Sequence, residues 1–267
     1  MTISAAIALA PSVPYYRPVH DECSIFEHAH RQRLPLLLKG PTGCGKSRFV
    51  EAMAARLRRP LVTVACHDET SAIDLGGRYL VRGGETVWQD GPVTRAVREG
   101  AILYLDEIAE ARPDVIVVLH PLSDHRRRVV LEGRDEEVEA ADGFMLVVSF
   151  NPGYQRGLKE LKPSTRQRFV ALSFEYPGPD VETEILLGEV QGDAKVAKRL
   201  ASLAAKLRRL DALGLAELPS TRLLVDAAKL IRSGVDPRRA CDVAIVQPLT
   251  DDAAIAAALR EVVALAF

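Results

Sequence analysis

Eight consecutive residues carry the clearest chemistry in this chain. Gly40, Pro41, Thr42, Gly43, Cys44, Gly45, Lys46 and Ser47 fit the spacing G-x-x-x-x-G-K-[ST] at every fixed position. Glycines at these places let backbone N–H groups turn inward around phosphate oxygens. A helix beginning near Lys46 aims the positive end of its dipole at the same anion. Lys46 is then placed to reach the β- and γ-phosphates of a nucleoside triphosphate, and Ser47 to ligate Mg²⁺. The plainer reading is a glycine turn between a strand and a helix. Cys44 reads as a small residue whose backbone N–H does the work, with a redox thiol as the alternative.

Three further groups gain meaning from that loop. The run 101–105 is apolar and ends in Asp106 and Glu107. Parallel strands bring their carboxyl ends to one sheet edge, where ligands bind. There Asp106 can hold Mg²⁺ and Glu107 can polarise an attacking water as a general base. The run 147–150 repeats the design and ends in Asn151, which can orient the water or sense the γ-phosphate; an Asn-Pro turn is the plainer reading. Arg166 and Arg168, spaced i and i+2, cannot share one helical face. Either can serve a neighbouring subunit's phosphate. Arg222 is a cation in the first turn of a later helix, where the dipole disfavours it, and binding the nucleotide from the helical domain would explain it. A solvated basic turn would carry the same residues. Cys66, His67 and Asp68 do not read as a metal site, because consecutive residues at a strand end point to opposite sides.

The elements that must position these residues follow from the hydrophobic pattern. Apolar runs at 35–38, 60–65, 101–105, 144–150 and 170–174 predict strands buried on both faces, hence a parallel five-stranded sheet with helices on each side. Helices are expected at 24–33, capped by Ser24, and at 46–59 and 113–122. Segments 78–88, around Gly83-Gly84, and 128–140, around Gly133, read as hairpins inserted in this α/β core. Beyond Pro177-Gly178-Pro179 the pattern turns helical, at 181–190, 194–213, 220–231, 238–245 and 250–266. This gives an extended arm over 1–20, an α/β domain over 21–177 and a helical domain over 178–267.

Composition bounds the function. The 267 residues are 48% apolar and 27% charged, with 35 Lys+Arg against 36 Asp+Glu and a net charge of −1. That balance disfavours a protein living on a nucleic-acid backbone. The one dense basic run, Arg126-Arg127-Arg128, is explained equally well as a solvated hairpin tip. No apolar run approaches the roughly 18 residues needed to span a bilayer. The four cysteines form no C-x-x-C pair, so neither a disulfide framework nor a zinc site is suggested, and a reducing, cytoplasmic compartment fits.

The order of P-loop, Asp-Glu strand, Asn strand, Arg-Gln-Arg-Phe and helical-domain arginine resembles an AAA+ ATPase. The two hairpins place the resemblance in the MoxR branch. The strings Leu-Lys-Gly-Pro-Thr-Gly-Cys-Gly-Lys-Ser, Val-Ala-Cys-His-Asp, Gly-Gly-Glu-Thr-Val-Trp-Gln-Asp-Gly-Pro, Asn-Pro-Gly-Tyr-Gln and Leu-Lys-Pro-Ser-Thr-Arg-Gln-Arg-Phe resemble the CbbQ/NorQ family from about residue 15 onward. The resemblance implies Walker A at 40–47, Walker B at Asp106 and Glu107, sensor 1 at Asn151, arginine fingers among Arg166 and Arg168, and sensor 2 at Arg222. It also implies ATP and Mg²⁺ as cofactors and a homohexameric ring with nucleotide between subunits. CbbQ-type members act with CbbO, a von Willebrand factor A-domain partner, to free rubisco from tight sugar phosphates. NorQ-type members act with a similar partner to mature nitric oxide reductase. The strings lean to the CbbQ side. A nucleic-acid motor and a non-hydrolysing nucleotide switch are the competing classes.

Overall fold

The computed structural model describes residues 7–8, 13–152, 161–210, 215 and 217–267. The chain divides into two compact units. The first holds the described residues of Met1–Pro14, His20–Gly40 and Lys46–Ser173; the second holds those of Tyr15–Val19, Pro41–Gly45 and Phe174–Phe267.

The first unit is built on a six-stranded sheet. Its strands are β1 (Ile7–Ala8), β2 (Leu36–Lys39), β3 (Leu61–Ala65), β6 (Ile102–Asp106), β9 (Met145–Phe150) and β10 (Val170–Ser173), in the spatial order β1-β3-β6-β9-β2-β10. The five from β3 to β10 are parallel, as the apolar runs predict. All six residues of β9 and the first four of β6 are buried. Burying each such aliphatic side chain contributes about 1.5–3 kcal/mol, which makes this pair the centre of the core. The extended arm supplies a sixth strand: Ile7 and Ala8 pair antiparallel with Val62 and Leu61 at the sheet edge.

Helices α1 (Glu22–Arg31), α2 (Lys46–Arg56), α3 (Ala72–Gly76), α4 (Pro92–Glu99), α5 (Pro113–Leu119) and α6 (Pro163–Arg166) complete this unit. Phe26 of α1 meets Phe49 of α2 edge to face at 5.4 Å. Ser24 is not the cap of α1. That helix starts two residues earlier, with Asp21 in the cap position and the Glu22 carboxylate accepting the His20 N–H at 2.8 Å. The short α3 is closed by a capping box between Ser71 and Asp74.

Two hairpins leave the α/β core. Strands β4 (Gly77–Arg82) and β5 (Glu85–Asp90) turn at Gly83 and Gly84, whose φ values of 60° and 88° suit the two-residue turn that glycine favours. Strands β7 (Arg128–Leu131) and β8 (Glu136–Glu139) form the second. Its left-handed residue is Asp135, not Gly133, after a helical turn at Glu132–Arg134.

The basic run corrects one expectation. Arg126–Arg128 stands at the base of the second hairpin, not its tip, and each guanidinium is engaged. Arg126 pairs with Asp124 at 2.7 Å and Arg128 with Glu137 at 2.5 Å. Arg127 donates to the carbonyls of Arg33 and Phe144, both at 2.8 Å, and lies over the Phe144 ring.

The second unit is helical: α7 (Pro179–Val190), α8 (Ala194–Leu207), α9 (Thr221–Arg232), α10 (Pro237–Cys241), α11 (Gln247–Leu249) and α12 (Ala253–Ala266), with a wider π-helical turn over Asp242–Val246. Leu200, Leu203 and Leu207 of α8 fall at helical spacing and are fully buried, as are Leu224, Ile245 and Leu259. Asp193, Ser220 and Asp252 accept backbone N–H groups and fix the starts of α8, α9 and α12. Helix α8 is shorter than 194–213; the end of that expected span lies outside the described residues. No described helix is long and apolar enough to cross a membrane.

Candidate nucleotide and metal site

Strand register decides which side chains meet in the first unit. Leu38 of β2 is level with Ser149 of β9, and Leu105 of β6 is level with Val148. The carboxyl ends of β2, β6 and β9 therefore finish together, at Gly40, Asp106 and Asn151.

Lys46 is buried at the start of α2. Its ammonium donates to the Gly40 carbonyl at 2.7 Å and to Asn151 Oδ1 at 2.8 Å. The amide of Asn151 in turn donates to Glu107 Oε1 at 3.2 Å. One asparagine thus links the P-loop lysine to the exposed carboxylate of Glu107. Glu107 itself takes φ 56° and ψ 46°, a left-handed conformation rare for a side chain of this kind. Its N–H is held by Ser149 Oγ at 3.0 Å.

Asp106 sits among three hydroxyls. Ser47 Oγ donates to its Oδ2 at 3.2 Å, Tyr104 donates to its Oδ1 at 2.7 Å, and Ser149 also donates to Oδ1. The Tyr104 hydroxyl lies 3.3 Å from Ser47 Oγ. Burial, and then the Asp106 charge, push the Tyr104 phenol above its usual range, so it stays a neutral donor. Neighbouring Cys66 is buried, and burial followed by the charges of Asp106 and Glu107 pushes its thiol up to about 12. It is a poor nucleophile there. All four cysteines are free. Among the described residues no group of His, Cys, Asp and Glu gathers into a further metal site, and the His67 ring accepts the Glu69 N–H at 3.3 Å.

The rest of the P-loop belongs to the second unit. Gly43 and Gly45 have φ of 71° and 103°, so both need glycine's freedom. At Gly43 space adds a second reason, because a Cβ there would come within 2.5 Å of the Ser220 side chain. The Thr42 carbonyl accepts the Tyr176 hydroxyl at 2.9 Å. The guanidinium of Arg208 lies 4.3 Å from the Tyr176 ring centre and grips the fully buried Glu182 with two bonds of 2.7 and 2.9 Å. Thr221 adds a third donor to Glu182 at 2.7 Å, and Arg208 Nε reaches the Pro219 carbonyl. This network fixes the extended approach to α9, where Arg222 stands in the first turn.

Of the two spaced arginines, Arg166 ends α6 and its Nε donates to the Leu161 carbonyl at 2.9 Å. Arg168 lies beyond that helix and pairs with Asp124 at 3.2 Å. Arg126 beside it holds the Asp124 carboxyl well below the usual carboxylate range. Sequence reasoning missed Tyr104, Ser149, Tyr176, Glu182 and Arg208. Only Tyr104 left a signal: a polar-tipped ring inside an aliphatic strand, two residues from Asp106 and so on its face.

The donor set fits a nucleotide with its cation. Ser47 and Asp106 offer hard oxygens, which suit Mg²⁺. Gly43 and Gly45 turn the loop as a phosphate cradle requires, and α2 begins at Lys46. Comparison with known proteins agrees. Residues 35–169 match the model of the AAA domain (dynein-related subfamily), so the first unit carries the nucleotide-hydrolysing domain of AAA proteins. Residues 182–266 match the model described as CbbQ/NirQ/NorQ C-terminal. The chain belongs to the CbbQ/NirQ/NorQ family of AAA+ ATPases, in the MoxR branch. Protein NorQ of Paracoccus denitrificans (strain Pd 1222) is 58% identical over 97% of this chain and 96% of its own length. Protein CbbQ of Hydrogenophilus thermoluteolus is 53% identical over 94% of each. The fold is also that of a solved point mutant of RuvB from Thermotoga maritima, with a TM-score of 0.53, 18% identity, and coverage of 91% of this chain and 69% of that one.

Proposed function

We propose that this ATPase is a ring motor that remodels a protein client, with Glu107 as general base and Asn151 holding it in line with the nucleotide. The observation that carries this reading is the Lys46–Asn151–Glu107 chain of hydrogen bonds. It gives one side chain contact with both the phosphate-binding lysine and the candidate base. ATP supplies the free energy and Mg²⁺ the charge neutralisation, the cation being held by Ser47 and Asp106. Arg166, Arg168 and Arg222 supply positive charge toward the γ-phosphate, the first two across a subunit interface in a homohexamer. The motor works in the cytoplasm with a von Willebrand factor A-domain partner.

For the client, the motif strings lean toward rubisco, yet identity is 58% to a NorQ and 53% to a CbbQ. The lean toward rubisco is therefore not favoured. We place nitric oxide reductase maturation first, with release of sugar phosphates from rubisco as the second reading. A nucleic-acid client has less support, because the single dense basic run is spent on internal partners.

The test is co-production with the partner and each client in turn. The expected result is ATP-dependent gain of nitric oxide reductase activity, lost in Lys46→Ala and Glu107→Gln. Recovery of inhibited rubisco alone would move the client assignment to the second reading. Hydrolysis at the wild-type rate by Glu107→Gln would overturn the assigned base.

A further inference from the structure

The β6 strand reads Ile-Leu-Tyr-Leu-Asp, and its buried positions would be filled by any large aliphatic residue. Tyr104 is 1% exposed, so its hydroxyl needs a protein partner. It finds the site itself: Asp106 Oδ1 at 2.7 Å and Ser47 Oγ at 3.3 Å. An ionised carboxylate has about four acceptor positions, two on each oxygen. On Asp106, Oδ1 takes Tyr104 and Ser149, which fills it. Oδ2 takes Ser47, which leaves it a second acceptor position.

We infer that Tyr104 is a positioning residue for the divalent cation. Its hydroxyl pins Oδ1 of Asp106 so that Oδ2 faces Ser47, and the two oxygen ligands are aligned before the cation arrives. This inference rests on the reading of Ser47 and Asp106 as the Mg²⁺ ligands. In this role Tyr104 acts through the carboxylate it binds. Loss of a partner that orients a metal ligand typically weakens metal affinity about 10- to 100-fold. Here Ser149 retains part of the hold on Oδ1, so the lower end is expected.

The experiment uses the full chain with a fluorescent ATP analogue. Tyr104→Phe keeps the ring and its packing and deletes one oxygen. Its thermal midpoint and its analogue affinity in EDTA report that the fold and the P-loop are intact. The expected result is a Mg²⁺ titration in which half-maximal tightening of the analogue needs about tenfold more Mg²⁺ than in the wild type, with full tightening recovered at high Mg²⁺. Asp106→Asn is run beside it. If Asp106→Asn shifts the titration and Tyr104→Phe superimposes on the wild type, the role of Tyr104 is overturned while the metal site stands. If Asp106→Asn also leaves the titration unmoved, Asp106 is not a ligand and both readings fall. A uniform drop in affinity with and without Mg²⁺ would make Tyr104 a packing residue only.

Discussion

At the scale of single residues, Glu107 combines two demands that oppose each other. Its carboxylate must stand at the sheet edge beside Asn151, and its backbone must turn left-handed to leave β6. That conformation costs an L-residue about 1–2 kcal/mol, and glycine would avoid it. Glycine brings back about 0.5–1 kcal/mol of chain entropy. Glu107→Gly is therefore expected to stabilise the protein by about 0.5 kcal/mol, read as a rise of roughly 1–2 °C in the thermal midpoint. Glu107→Gln keeps the strain and should melt with the wild type. Both should bind nucleotide, and both should hydrolyse it about 10²- to 10⁴-fold more slowly, the usual worth of a positioned base. Calorimetry beside a steady-state ATPase assay checks the pair. A destabilised glycine variant would mean that contacts of the Glu107 side chain outweigh the backbone strain.

At the scale of elements, one buried carboxylate ties α7 to α9 and to Arg208, the residue that follows α8. Glu182 is fully buried and takes two bonds from Arg208 and one from Thr221, so its charge is well satisfied. Removing one partner strands the other, which typically costs about 3–5 kcal/mol. Glu182→Ala should destabilise the second unit by that amount, read from its denaturant midpoint. Wild-type stability in this variant would show that Arg208 finds water instead. None of this was legible in the sequence. Glu182 and Arg208 lie 26 residues apart with no local motif joining them, and their meeting depends on how α7 packs against the end of α8. The parallel strands were legible, since burial on both faces leaves continuous apolar runs, and so was the P-loop, whose spacing is local. The basic run misled because its partners include Arg33 and Phe144, which are remote in sequence, and Glu137 on the facing strand. The short α3 and α6 escaped because four or five residues carry no period.

At the scale of the whole molecule, the proposed ring makes catalysis a shared property, and the near-neutral charge fits the protein client proposed for it. Arg168 pairs with Asp124 in its own chain, a partner that a trans-acting arginine would give up on assembly. Complementation separates a shared site from a self-contained one. A Glu107→Gln subunit lacks its own base but keeps Arg168. An Arg168→Ala subunit keeps its base but lacks the arginine. In a ring with nucleotide between neighbours, mixing the two creates interfaces where an intact base faces an intact arginine. Random 1:1 assembly makes roughly a quarter of the interfaces productive, so mixed samples should recover up to about that share of wild-type hydrolysis although each variant alone is inactive. The same mixing with Arg166→Ala tells which of the two arginines crosses the interface. Mixtures that stay as inactive as their components, while still co-assembling by light scattering, would place both arginines on the subunit's own site.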